Sequence, residues 1–197
     1  MKYALTHASV LVLVGLVTVQ YSTGVSGQTG SGWTTLFDGS TLDGWNTLGD
    51  ANWNLADGTV QADSGSGFLV TAESYGDFQL TLEFWVDPDA NSGIFIRCAD
   101  PQQVGASNSY EVNIFDTRPD QEYRTGGIVN VAPPARAINT GDKWNTYDIT
   151  AQGARLTVVL SGIRTVDIEH RGHTGEPIAL QYGAGVVKFR NVRIRPL

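Results

Sequence analysis

The chain alternates apolar and polar side chains, most strictly between Phe78 and Val86. Phe78, Leu80, Leu82, Phe84 and Val86 fall on one side, and Gln79, Thr81, Glu83 and Trp85 on the other. A period of two sends successive side chains to opposite faces of an extended strand, so this stretch predicts a strand with one face in a core. Shorter runs over 93–98, 110–115, 144–150, 155–160, 164–169, 178–182 and 187–195 predict further strands, and no segment keeps a helical period. Leu80, Leu82, Phe84, Ile94, Ile96, Val112 and Ile114 share the inward parity and form the predicted core. Asp57-Gly58, Gln152-Gly153 and Ser161-Gly162 offer residues that accept positive φ, as tight hairpins require. Pro88, Pro101 and Pro133-Pro134 fall between strands, where a missing N–H breaks no ladder. Many short strands without a helix imply an all-β sandwich or jelly roll of two antiparallel sheets. No internal repeat is present.

Composition narrows the function classes. The 197 residues carry a formal charge of −7, which disfavours a nucleic-acid partner because phosphate binding needs a basic footprint. Lys2, the apolar run 8–19 and the small-residue exit Val25-Ser26-Gly27 describe a secretory signal peptide over 1–27. That run is short for a bilayer span, which needs about 20 apolar residues. The expected organisation is therefore a signal segment over 1–27, a short lead-in over 28–32 and one β-sandwich domain over 33–197. Export to the periplasm or the extracellular space, with no stable membrane span after cleavage, is the corresponding localisation. The single cysteine, Cys98, excludes an intrachain disulfide and reads as a small buried strand residue. Histidines are scarce: beyond His7, only His170 and His173 occur, in a polar stretch that reads as an exposed loop.

Strand parity also collects candidate chemistry. Phe95 and Arg97 point opposite to Ile94, Ile96 and Cys98, while Glu111 and Asn113 point opposite to Val112 and Ile114. If these strands are neighbours, one sheet face carries Phe95, Arg97, Glu111 and Asn113. A ring beside planar hydrogen-bonding groups suits a sugar, whose CH face stacks and whose hydroxyls pair with carboxylate and guanidinium. Arg97 and Glu111 equally suit an ordinary cross-strand ion pair. Asp116 has the wrong parity and joins this face only if its strand ends or bulges there.

An ordered set of short motifs runs through most of the chain. It comprises Phe37-Asp38-Gly39-Ser40 with Leu42-Asp43-Gly44-Trp45, Trp53 with Asp57-Gly58, and Tyr75 with Asp77-Phe78. It continues through Asn91-Ser92-Gly93-Ile94 with Arg97, Tyr110-Glu111-Val112 with Asp116, Gly126, Trp144-Asn145 and Phe189-Arg190-Asn191-Val192. The set resembles the 3-keto-disaccharide hydrolase domain family over nearly all of residues 33–197. The resemblance implies a concanavalin A-like jelly roll acting on oxidised glycosides. It also exposes departures: Asn113 stands where the family shows Gln, Val129 where it favours Tyr, and Gly183 where its Leu-Gln-x-His motif ends in His.

The chemistry the resemblance implies needs a base and a partner for an enolate. A ketone at C3 acidifies the C2 proton, and the glycosidic oxygen on C1 then leaves by elimination. Glu111 or Asp116 is the candidate base, Arg97 the electrostatic partner, and Phe95, Asn113 and Gln181 the candidate substrate contacts. A divalent cation held by carboxylate oxygens is a further way to stabilise the enolate. The alternative reading is a non-catalytic carbohydrate-binding module on the same fold, with Gly183 as its signature.

Overall fold

The strictly alternating run becomes the middle strand of the larger of two sheets in a computed structural model, which describes residues 32–175 and 177–197. The predicted signal segment lies outside the described residues. In chain order the strands are β1 (Thr34–Phe37), β2 (Trp45–Gly49), β3 (Asn54–Ala56), β4 (Thr59–Ala62), β5 (Gly67–Thr71) and β6 (Phe78–Val86). They continue as β7 (Ser92–Ile96), β8 (Tyr110–Ile114), β9 (Lys143–Gln152), β10 (Arg155–Leu160), β11 (Ile163–Glu169), β12 (Ala179–Tyr182) and β13 (Val187–Pro196). A single 3₁₀ turn at Gln121–Tyr123 is the sole helical element among the described residues.

The larger sheet has eight strands in the order β11-β10-β9-β6-β13-β4-β3, with β1 also paired to β13. The smaller has five, in the order β2-β5-β12-β7-β8. All ladders between these strands are antiparallel. The chain is an all-β jelly-roll sandwich, as its alternation predicts. Asp57 and Ser161 take φ of 51° and 47° in the hairpin turns foreseen for them. Among the described residues, no helix is long and apolar enough to cross a membrane.

The core lies between the sheets and contains all seven residues predicted for it. Leu80 pairs with Ile149, and Leu82 with Tyr147 across β6 and β9, while Ile94 pairs with Val112 across β7 and β8. Tyr147 is one of the core's polar members. Its hydroxyl donates to the Asn113 carbonyl at 2.6 Å and accepts the Gly126 N–H at 2.9 Å, so a phenol of the larger sheet locks onto the edge of the smaller one. Burial pushes its pKa well above the ordinary phenol value, so it stays a neutral donor. Cys98 is buried beyond the end of β7, with its thiol pushed up to about 12 by burial, but it clusters with Phe95 and not with Ile94 and Ile96 as parity predicts, because the positive φ at Arg97 breaks the alternation.

The five strands before Phe78 were not delimited from sequence, although the Asp57-Gly58 turn between β3 and β4 was foreseen; they are three to five residues long and lack a clean apolar–polar alternation. The run predicted over 93–98 also ends early. It stops at Ile96, because Arg97 adopts a φ of 57°, which takes its side chain off the strand's parity.

Candidate functional site

The outer face of the five-stranded sheet gathers the remaining candidates around a glycine. Phe95 pairs directly with Glu111, and Gly93 with Asn113, across β7 and β8. On the other side of β7, Ala179 pairs with Phe95, and continuing that register places Gln181 beside Gly93. Gly93 is closely covered by its neighbour: a Cβ there would meet Glu111 Cγ at 3.2 Å and its Oε1 at 3.4 Å. The glycine leaves the Glu111 side chain space to lie over it.

Glu111 is the electrostatically perturbed group of this face. Burial raises its pKa to about 7, and the positive charge of Arg118 pulls weakly the other way. A carboxylate that changes charge near neutral pH can take up and return a proton there. Gln181 adds a second mark, since its Oε1 is buried without a hydrogen-bond partner among the described residues. Asn113 Oδ1 is in the same state, while its Nδ2 donates to the Tyr123 carbonyl at 2.6 Å. An orphaned acceptor at Gln181, on the face that carries an uncommitted carboxyl, is what a hydroxyl-bearing ligand would satisfy.

Two of the expected contacts are differently placed. Phe95 is only 1% exposed and packs with Val70, Cys98 and Ala179 in a small apolar cluster on this outer face, so it offers no free ring. The ring nearer the surface is Phe68, half-buried, edge-on to Phe95 at 5.2 Å and paired in register with Gln181. Asn113 lies fully buried beneath the Tyr123–Gly127 backbone.

Arg97 does not join Glu111, which corrects the expectation from parity. Its positive φ turns the guanidinium toward the larger sheet, where it donates to the Gly76 carbonyl at 2.8 Å and to Asp77 Oδ1 at 2.7 Å. Neither the cross-strand pair nor the enolate partner is formed by this arginine. That hydrogen bond holds the Asp77 carboxyl below its ordinary pKa. Asp116 is likewise committed elsewhere. β8 ends at Ile114, as its wrong parity required, but the carboxylate then accepts from the Thr125 and Thr140 hydroxyls and from the Thr140 and Gly141 amides. It is a loop clamp with its acceptor sites filled, which a general base cannot be.

Of the histidines, His170 is held through its ring and His173 through its backbone amide. Tyr110 bonds His170 Nδ1 at 2.9 Å and accepts from the Gly172 and His173 amides, tying down the loop after β11. With Arg97 and Asp77 they line a separate cavity of about 400 Å³. Gly183, where the resembling motif has histidine, is tightly enclosed: a Cβ would meet the Asn91 carbonyl at 2.9 Å.

Phe68 and Arg118 escaped the sequence reading. Phe68 lies in the apolar run Phe68-Leu69-Val70, which does not alternate and so does not reveal its face, whereas Arg118 sits in a loop beyond β8 where periodicity says nothing. No group of three or more His, Cys, Asp or Glu side chains among the described residues is arranged to hold a metal ion.

Two proteins from Parabacteroides distasonis ATCC 8503, described as candidate glycosyl hydrolases, share the fold. One superposes with a TM-score of 0.71 at 24% identity, over 84% of this chain and 99% of that chain. The other gives 0.72 at 18% identity, over 84% and 94%. The carbohydrate-binding module CBM66 from Bacillus subtilis gives 0.61 at 18% identity, over 77% and 95%. No curated protein sequence matches. The model of the 3-keto-alpha-glucoside-1,2-lyase-like domain matches residues 32–195, the whole sandwich including the strands that carry Glu111 and Gln181. The chain therefore belongs to the 3-keto-alpha-glucoside-1,2-lyase-like domain family.

Proposed function

We propose that this protein cleaves 3-keto-glycosides by elimination, with Glu111 as the base. The observation that carries the reading is the Glu111 carboxyl, raised to about 7 on the same sheet face as the unpartnered Gln181 acceptor. Glu111 takes the C2 proton, and the electron pair of that C–H bond delocalises onto the C3 oxygen as an enolate. When the ketone re-forms, a double bond forms between C1 and C2 and the C1–O bond breaks. The proton held on Glu111 then goes to the departing oxygen, so the carboxylate is restored. Arg118, the cation that acts on Glu111, replaces Arg97 as the electrostatic partner of the enolate. Gln181 orients a sugar hydroxyl and Phe68 takes a CH face.

The chemistry is tested by incubating the purified mature protein with a 3-keto-glycoside, with and without chelator, and following aglycone release. Turnover lost in Glu111→Gln with the fold intact supports the assignment; unchanged turnover refutes it. A non-catalytic carbohydrate-binding module is the second reading, favoured by Gly183 in place of the motif's histidine and by the tight enclosure of that position. It predicts sugar binding without turnover, weakened only modestly by Glu111→Gln.

Export fits either reading. Mass spectrometry of the secreted protein should show a new N-terminus between residues 22 and 30; a retained Met1 would exclude cleavage.

A further inference from the structure

The outer face of the eight-stranded sheet takes no part in the site above and is built on a different principle. Its cations stand on one strand. Lys188, Arg190, Arg193 and Arg195 of β13 point outward, while Phe189, Val192 and Ile194 are buried. Simple alternation would send 190 and 193 to opposite faces. A bulge prevents this: Asn191 takes a φ of 53°, and the pairing with β6 skips from Arg190–Glu83 to Arg193–Thr81. The irregularity keeps all four cations on one side. Four of the chain's 13 lysines and arginines thus line one strand face of a protein with formal charge −7.

Each cation is set against an indole. Lys188 Nζ lies 4.9 Å from the Trp85 ring centroid, and Arg190 Cζ 3.8 Å from that of Trp144. Arg193 and Arg195 lie 5.9 Å and 5.1 Å from Trp33. Trp85 and Trp144 are paired across β6 and β9 at one end of the face. At the other end Trp33 closes a cavity of about 210 Å³ with Gln79, Asp148 and Thr150. Glu83 neutralises Arg190 at 2.6 Å, but Lys188 and Arg193 have no ion pair among the described residues.

We propose that this face is a second binding surface, for a linear polysaccharide bearing carboxylates that lies along β13. Indoles hold the cationic heads in place at little entropic cost, and ammonium and guanidinium groups in a row suit the carboxylates of successive sugars. The cavity beside Trp33, lined by Gln79, Asp148 and Thr150, suits sugar hydroxyls. A second copy of the chain fits less well, because a two-fold axis on β13 would oppose these cations to their own copies. The surface is independent of Glu111, so either assignment can fail alone.

The test is affinity electrophoresis of the mature full-length protein at low ionic strength through gels containing polygalacturonate or a neutral glucan. Polygalacturonate should retard the protein and the neutral glucan should not. Lys188→Gln with Arg193→Gln should weaken apparent affinity roughly tenfold. Arg136→Gln with Arg171→Gln, an equal charge change elsewhere, should leave it unaltered, as should Glu111→Gln. If the double variant fails to fold, Arg193→Gln alone, at an exposed position, should still lose about threefold. The assignment is overturned by absence of retardation, equal retardation in neutral glucan, or equal loss in the control pair. Binding to anionic vesicles in place of polygalacturonate, or a dimer that only the β13 variant dissociates, would also overturn it.

Discussion

The two outer faces of the sandwich solve the same problem in opposite ways. The larger sheet leaves its outer face to water: Thr81, Glu83, Thr146 and Asp148 alternate with the core, and charged heads rest on indoles. The smaller sheet covers much of its outer face with apolar packing, where Phe95, Val70 and Ala179 are nearly as inaccessible as the central core. One carboxyl is carried into that covering. On the wet face Glu83 meets Arg190 and Asn191, whereas on the dry face no ion pair to Glu111 forms among the described residues. The difference teaches where reactivity can accumulate: a charge answered by partners is quiet, and a charge partly removed from water without a full partner titrates near neutrality.

The sharpest way to break this contrast is kinetic. Glu111→Gln keeps size and hydrogen bonding but removes basicity, and turnover of a 3-keto-glycoside should fall by roughly 10²–10⁴. The same contrast gives a pH profile: kcat/KM should rise through a pH of about 7 as Glu111 ionises. A limb set by an ordinary carboxylate pKa would show that the dry face does not tune this group.

Truncating the shared core tests the frame on which both faces rest. Leu82→Ala, fully buried opposite Tyr147, should cost about 2–5 kcal/mol in denaturant unfolding. A loss below about 1 kcal/mol would mean that the two sheets are not packed through this register.

Stability offers an independent reading of Glu111. Its pKa rises from 4.5 to about 7 on folding, so the folded state holds the proton more tightly. Its contribution to stability is fully present at low pH and is lost as pH rises through about 7. Glu111→Gln should therefore be more stable than the parent above pH 7, by on the order of 1–3 kcal/mol, with the gain vanishing near pH 4. Thermal unfolding across that range measures it, and a variant destabilised at pH 8 would contradict it.

The smallest effect belongs to the wet face. Arg190→Ala removes both the Glu83 pair and the Trp144 contact, yet should cost at most about 1 kcal/mol, because water and salt already screen this half-exposed pair. A larger loss would mean that this face is more structural than its exposure implies.

The sequence by itself determined the sandwich and its register, because alternation is a local property that burial of one face enforces. Leu80, Leu82, Ile94 and Val112 could point nowhere else without exposing a whole row of apolar side chains. Glu111 beside Phe95, on the face away from the core, follows from the same parity. Parity stops where the strand stops, and there tertiary structure decided. A single positive φ at Arg97 sent its guanidinium to Asp77, and the end of β8 turned Asp116 into a clamp for Thr125, Thr140 and Gly141. The cover over Phe95, the enclosure of Asn113, and the approach of Phe68 and Arg118 depend on strands and loops distant in sequence. Such contacts leave no local period, since what fixes them is which parts of the chain close on one another.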